Sequence, residues 1–218
     1  MGAVEIAGGV GRTYPPALGY SFAAGTSDGP GQDGFVQGDL TGRGKWLLGP
    51  VARALLGVAA SPAQVKGHAP KPILLSLGES ARAEWVARHV DVQVVRLGRL
   101  VVAAVPAEVS TMAGRRLEAS LLAACPPGTQ AAVVSVANGY SGYVTTPEEY
   151  GVQRYEGAST LYGQHTLAAY SQECARLAAG LWGANQVADS GDEALEVING
   201  GGLLARLKQV PVGTMADA

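Results

Sequence analysis

A chain of 218 residues with 47% hydrophobic and 16% charged side chains can bury a substantial core, which excludes an intrinsically disordered polymer. A net charge of −2 without a basic block argues against a nucleic-acid surface. No apolar run approaches bilayer-spanning length, and Met1 to Arg12 shows neither the basic nor the apolar region of a secretory leader.

From Met1 to about Gly49 the chain has little periodicity and much Gly, Pro, Asp and Ser. So long a non-periodic segment in a compact domain usually carries function or is disordered. The interleaved Tyr20, Phe22 and Phe35 predict an ordered loop packed on a neighbouring surface. Within it, Gly25-Thr-Ser-Asp-Gly-Pro-Gly31 is like a phosphate-cradling loop only in glycine content, having no strand before it and no Lys-Ser/Thr after it.

Leu47, Leu48, Val51, Leu55 and Val58 share one helix face, predicting a helix over Trp46 to Val58 with Pro50 near its start. Pro70 to Leu77 reads as a buried strand entered through a proline-rich turn. Asp91 to Leu97 and Leu100 to Val105 read as strands joined tightly at Gly98-Arg99. Ser110 to Ala124 is a predicted helix, capped by Ser110 or Thr111 and ended by Cys125-Pro-Pro-Gly128. Ala131 to Ala137 is a further predicted buried strand.

Thr146-Pro-Glu-Glu149 matches a capping box with proline at the first helical position. Leu167, Tyr170, Cys174, Leu177 and Leu181 then form a stripe at helical spacing, which decays after Trp182. Leu203 to Ala218 reads as a truncated edge. The expected fold is α/β: a mixed sheet with flanking helices and long ordered loops.

Four tyrosines, three acids and an arginine crowd between Asn138 and Thr160, where an apolar strand hands over to a helix. Such a concentration builds a site or an ordinary surface loop. The apolar run Leu100 to Val105 ends in Pro106, and Glu108 then sits just before a helix, where a carboxylate can bind a metal, act as a base, or stabilise the helix dipole. His68, His89 and His165 have no metal-ligand spacing and read as structural. Cys125 and Cys174 either pair or remain small apolar groups. No nucleophile elbow or serine triad is visible. From the residues alone the chemistry stays unassigned.

Five blocks supply more. Pro16-Ala-Leu-Gly-Tyr-Ser-Phe-Ala-Ala-Gly-Thr26, Pro70-Lys-Pro-Ile-Leu-Leu75, Glu108-Val-Ser-Thr-Met-Ala-Gly-Arg-Arg116, Tyr143-Val-Thr-Thr-Pro-Glu-Glu-Tyr150 and Gln153-Arg-Tyr-Glu-Gly-Ala-Ser-Thr-Leu-Tyr-Gly-Gln-His-Thr-Leu167 resemble, in this order, the neutral (non-lysosomal) ceramidases. The resemblance implies zinc-dependent hydrolysis of the ceramide amide to a sphingoid base and a fatty acid. It implies a zinc held by two histidines, a glutamate and a tyrosine, with a serine nucleophile. On the matching motifs the glutamate is Glu108, the tyrosine ligand is Tyr143, and Tyr155 contacts the substrate amide or its oxyanion.

In that family the zinc histidines and the serine precede the Ala17-Leu-Gly-Tyr-Ser-Phe block, and a β-sandwich domain follows the catalytic one. Residues 1–218 are therefore expected to form a partial catalytic domain, inactive alone, whose two histidine ligands come from outside it. The resemblance further implies a secreted or cell-surface setting, with ceramide drawn from a membrane surface. The alternatives are a lipid- or partner-binding module without chemistry, and a zinc amidohydrolase for other acyl substrates.

Overall fold

The computed structural model describes residues 5–9, 11–42, 59–79, 86, 89–182 and, as backbone, 205–211. The helix expected over Trp46 to Val58 lies outside the described residues. Strands β1 (Glu5–Ile6) and β2 (Gly11–Arg12) form a short antiparallel pair. β3 (Ala17–Gly19) runs straight into helix α1 (Tyr20–Ala23) and pairs antiparallel with β4 (Ile73–Ser76), the strand expected after the proline-rich turn. Between them stands α2 (Pro62–Gly67), capped by the Ser61 side chain and started by proline.

The main sheet has four strands. β5 (His89–Leu97) and β6 (Leu100–Ala104) form the expected hairpin, with Leu97 opposite Leu100 and Gly98 at φ 62° in the turn. The chain then passes through β7 (Glu108–Val109) and helix α3 (Thr111–Ala123) before β8 (Gln130–Val134) pairs parallel with β6. A parallel pair needs such a crossover, and α3 provides it. β9 (Tyr143–Val144), α4 (Pro147–Val152), α5 (Tyr155–Ser159) and α6 (Thr166–Gly180) follow. β10 (Ala205–Pro211) lies antiparallel along β5, giving the order β10-β5-β6-β8. The α/β fold with a mixed sheet and flanking helices is the observed one.

Alternation decides which sheet face is covered. Val90, Val92 and Val94 of β5 and Val101 and Ala103 of β6 are buried, and the helices fill that side. α6 contributes the stripe read from sequence: Leu167, Tyr170, Cys174 and Leu177 are buried, and Leu181 just beyond it is too. α3 contributes Ala113, Leu117 and Leu121, an i, i+4 row, whereas Met112 and Leu122 face outward. Cys174 is buried and Cys125 half-buried; both are free thiols.

One expectation is corrected. The apolar run Ala131 to Ala137 forms a strand only to Val134, and Val134 and Val136 are 46% and 56% exposed. Among the described residues β8 is an edge strand of this sheet, and its Ala131 and Val133 pack against the core only in part. Val136 and Asn138 then take φ values of 54° and 63°, turning the chain back over the end of β6. There Val136 N donates to Ala107 O and Ala137 N to Val105 O.

Candidate functional site

The site begins where β6 runs out. Val105 and Ala107 are fully buried, so the backbone reaching Glu108 is fixed by the core before the carboxylate emerges. Glu108 is the register partner of Tyr143 in the parallel pair β7–β9. Glu108 N donates to Gly142 O at 3.0 Å and Ser110 N to Val144 O at 3.0 Å. Paired residues of neighbouring strands share a face, so carboxylate and phenol stand side by side. The strand pair is anchored from below by Ser141, whose amide and hydroxyl both donate to Pro106 O, at 2.6 and 2.9 Å. The same hydroxyl meets Tyr170 OH of α6 at 2.7 Å. Gly142, at φ 79°, has no room for a Cβ, which would strike Leu161 and Ser159 O.

Each strand hands over to a capped helix. Ser110 caps α3 by accepting from Ala113 N at 3.2 Å. Thr146 and Glu149 form the capping box of α4 read from the sequence. The box has a second use that no local pattern announces. Glu149 Oε2 accepts from Thr146 N at 2.8 Å and also from Ser110 Oγ at 2.6 Å, so one carboxylate ties both helix starts together.

Three tyrosines gather around Glu108. Tyr140 OH donates to Glu108 Oε1 at 2.6 Å. Tyr143 adjoins by strand register, and the Tyr155 ring meets the Tyr143 ring edge-on, 5.7 Å between centroids at 83°. Burial first, and then the neighbouring Glu108 carboxylate, push the Tyr140 and Tyr143 phenols above their usual range. Both are protonated at neutral pH in this arrangement. Beside them opens a cavity of about 780 Å³, with Glu108, Ser110, Tyr143, Glu149 and Arg154 among its lining. Val136 and Val152 also line it and are 56% and 52% exposed, which gives a polar pocket an apolar edge.

The structure thus brings together Glu108, Tyr143 and Tyr155, three residues spread over 48 positions (155 less 108 is 47 intervals). It keeps the histidines elsewhere. His68 is buried and bonds Pro15 O at 2.8 Å; His89 begins β5; His165 is the N-cap residue of α6. None of them lines the cavity. The side-chain cap of α3 is supplied by Ser110. The Gly25–Gly31 loop uses its polar groups on the protein itself, through Thr26 N to Gly29 O, Gly29 N to Thr26 Oγ1 and Gly31 N to Ala24 O.

As a metal site the donor set is partial. A carboxylate and a phenol stand side by side; the carboxylate is among zinc's usual donors, and the phenol would join it only as the phenolate. Among the described residues no group of three His, Cys, Asp or Glu converges. The residues present fit half of a tetrahedral set. Sequence reading passed over the roles of Tyr140, Glu149 as a cross-tie and Gln37, all of which act through tertiary contacts; Phe22, read as packing on a neighbouring surface, meets the Tyr155 ring.

Comparison with known proteins places this geometry. The family described as neutral/alkaline non-lysosomal ceramidase, N-terminal, matches residues 3–172. A neutral ceramidase of Oryza sativa subsp. japonica is 46% identical over 175 residues, covering 77% of this chain and 22% of that protein. Neutral ceramidase 3 of Arabidopsis thaliana is 44% identical over 194 residues, covering 86% and 26%. Among solved structures, a ceramidase complexed with C2 superposes with a TM-score of 0.63 at 34% identity, over 83% of this chain and 28% of that one. The neutral ceramidase from Pseudomonas aeruginosa gives a TM-score of 0.56 at 28% identity, over 83% and 26%. The matched segment spans about a quarter of the length of these relatives. Sequence and fold together assign this chain to the neutral/alkaline non-lysosomal ceramidase family.

Proposed function

We propose that this chain carries part of the centre that hydrolyses the N-acyl amide of ceramide to a sphingoid base and a free fatty acid. The observation that carries the reading is the registered pair of Glu108 and Tyr143, with Tyr155 against it, beside a cavity with an apolar edge. Glu108 and Tyr143 would hold the zinc. When bound, that zinc supplies Lewis acidity toward the amide carbonyl. Two further histidine ligands and a serine nucleophile come from the region that precedes the Pro16–Thr26 block in the family, so residues 1–218 act as a partial catalytic domain.

The chain's own residues divide the remaining work. Tyr140 occupies one oxygen of Glu108 and so fixes the carboxylate's rotation. Tyr143 is protonated beside Glu108, and only a cation's charge favours the phenolate that ligation requires. The Tyr155 phenol donates to the oxyanion that develops from the amide oxygen, a contact worth about 3 kcal/mol in comparable sites. Val136 and Val152 receive apolar substrate at the cavity edge. The setting is secreted or cell-surface, with the lipid drawn from a membrane.

The test joins this chain to a family N-terminal region and measures ceramide hydrolysis and zinc content. The joined protein hydrolyses ceramide; Glu108→Ala and Tyr143→Phe each lower the rate by about 100-fold or more and reduce bound zinc. This chain alone takes up little zinc, since two ligands leave the ion mostly to water. Tight stoichiometric uptake by the chain alone contradicts the divided ligand set. Ceramide binding with no hydrolysis in any joined form replaces this reading with a lipid-binding module. Faster turnover of short acyl amides than of ceramide points to another amidohydrolase.

A further inference from the structure

The loop between α1 and Gly38 has no role in the reaction as described, yet it is the segment built most deliberately against Tyr155. We infer that Gln37 and Phe22 are positioning residues that hold the Tyr155 ring against Tyr143. The inference rests on the ceramidase reading only for what Tyr155 does; the positioning itself stands on the contacts.

Helix α5 has five residues, and its N-cap residue Arg154 makes no side-chain capping bond. Its first amides therefore lack a local partner. Gln37, 118 residues away, supplies one: its Oε1 accepts from Tyr155 N at 2.6 Å. The other end of the same carboxamide donates to Ser21 O at 3.1 Å and to Gly25 O. This fixes the orientation of the amide, because a flipped group would face N–H with N–H and two carbonyls with an oxygen. Gln37 is exposed, where a glutamine is normally left to water and keeps its rotamer freedom. Bonds at both ends of one exposed carboxamide mark a specified position.

The neighbours agree. Gly38 N donates to Gln153 O at 3.1 Å and to Ser21 Oγ at 3.0 Å, pinning the backbone immediately after Gln37. Phe22 of α1 stacks on the Tyr155 ring, 5.9 Å between centroids at 23°. Gly25 adopts φ 66° where a Cβ would collide with Gly29 O, so glycine is what lets the loop turn back toward Gln37. Tyr155 is therefore contacted by Phe22 stacked on its ring, by Tyr143 in a T-shaped contact, and by Gln37 at its backbone amide.

The 218-residue chain, isotope-labelled, is sufficient for the test. Gln37→Ala accelerates hydrogen exchange at the Tyr155 amide by about tenfold or more, leaves the core amide of Leu117 unchanged, and abolishes the Overhauser contact between the Tyr155 and Tyr143 rings. Phe22→Leu, which keeps the Gln37 bond, weakens the ring contact while the amide stays protected. Ring contact and exchange unchanged in Gln37→Ala overturn the inference; if that variant also loses Leu117 protection, the Phe22→Leu ring contact decides. In the joined enzyme, Gln37→Ala lowers kcat by about tenfold with KM within twofold, and has no further effect in a Tyr155→Phe background. A further loss in that background overturns the inference. Tyr155→Phe with full activity refutes the role of Tyr155 in the reaction and leaves the ring-contact result standing by itself.

Discussion

The strand pair that carries Glu108 and Tyr143 and the short helix that carries Tyr155 meet at one place but are held in different ways. β7–β9 is rooted in the core: Val105, Ala107 and Val144 are buried, backbone bonds run along the pair, and Ser141 fastens it to Pro106 and Tyr170. α5 is buried at Gly157, Ala158 and Ser159, but Tyr155 at its start is contacted by two side chains distant in sequence, Phe22 of α1 and Gln37 of the loop after it. A defect in the first region is a stability defect. A defect in the second displaces one ring and leaves the fold standing.

The largest effect should come from the buried polar node that joins α4, β3 and the end of α5. Behind α4, Tyr150 OH donates to His68 O at 2.9 Å, and His68 Nε2 donates to Pro15 O at 2.8 Å. Lys71 Nζ donates to Ala17 O at 3.1 Å, ahead of α1, and to Thr160 O at 2.6 Å, at the end of α5. Burial, and then the charge of Lys71, push His68 from 6.5 down to about 3. Below pH 6.5 the unfolded chain therefore takes up a proton that the folded chain refuses. The stabilisation is complete above that pH and drains away as the pH falls toward 3, at about 1.4 kcal/mol per pH unit. Urea titrations should show about 2 kcal/mol less stability at pH 5 than at pH 7. Burial also holds Lys71 well below its usual range, which lowers stability as the pH falls from the lysine's ordinary value toward its folded one. A His68→Asn variant retains the lysine and should lose only the histidine's share. An identical slope in that variant removes His68 from the account.

The next effect separates the regions. Glu149→Ala removes the acceptor shared by Thr146 N and Ser110 Oγ, and should cost about 1–2 kcal/mol in urea denaturation. Glu149→Gln, which keeps an acceptor oxygen, recovers part of that. The Tyr155–Phe22 contact, followed by NMR, should not move. If it does, the two regions are one mechanical unit and the comparison fails.

What was legible in the sequence follows the same division. The Thr146–Glu149 box, the turn at Gly98 and the α6 stripe are local patterns, each specified within a few turns of chain, and each is found where its residues indicate. The run Ala131 to Ala137 misled because uniform apolarity says nothing about how many neighbours a strand has; β8 meets the core on one side and ends at Val134. The proximity of Glu108 to Tyr143 came from family likeness, since no spacing rule pairs residues 35 apart (143 less 108). Gln37 gave no signal at all: a single exposed glutamine within a glycine-rich loop looks like any other until the fold brings Tyr155 to it.

The smallest effect sharpens the comparison by being absent. Arg116 Nη1 and Glu148 Oε2 approach to 2.8 Å, bridging α3 and α4, the same two helices that Glu149 joins one residue later. Their side chains are 47% and 70% exposed, against the half-buried Glu149. The guanidinium's hydrogen bond is the main reason the Glu148 carboxyl lies below its usual value. In solvent, however, the attraction is screened and offset by the entropy of holding two long side chains in one geometry. Arg116→Ala should therefore release the Glu148 carboxyl toward its ordinary pKa, visible by NMR titration, while the urea midpoint stays within error at both low and high salt. A midpoint shift matching that of Glu149→Ala would mean that the link between the helices matters more than the burial of the group that makes it. The distinction between a core-rooted strand pair and a loop-held ring would then need a different physical basis.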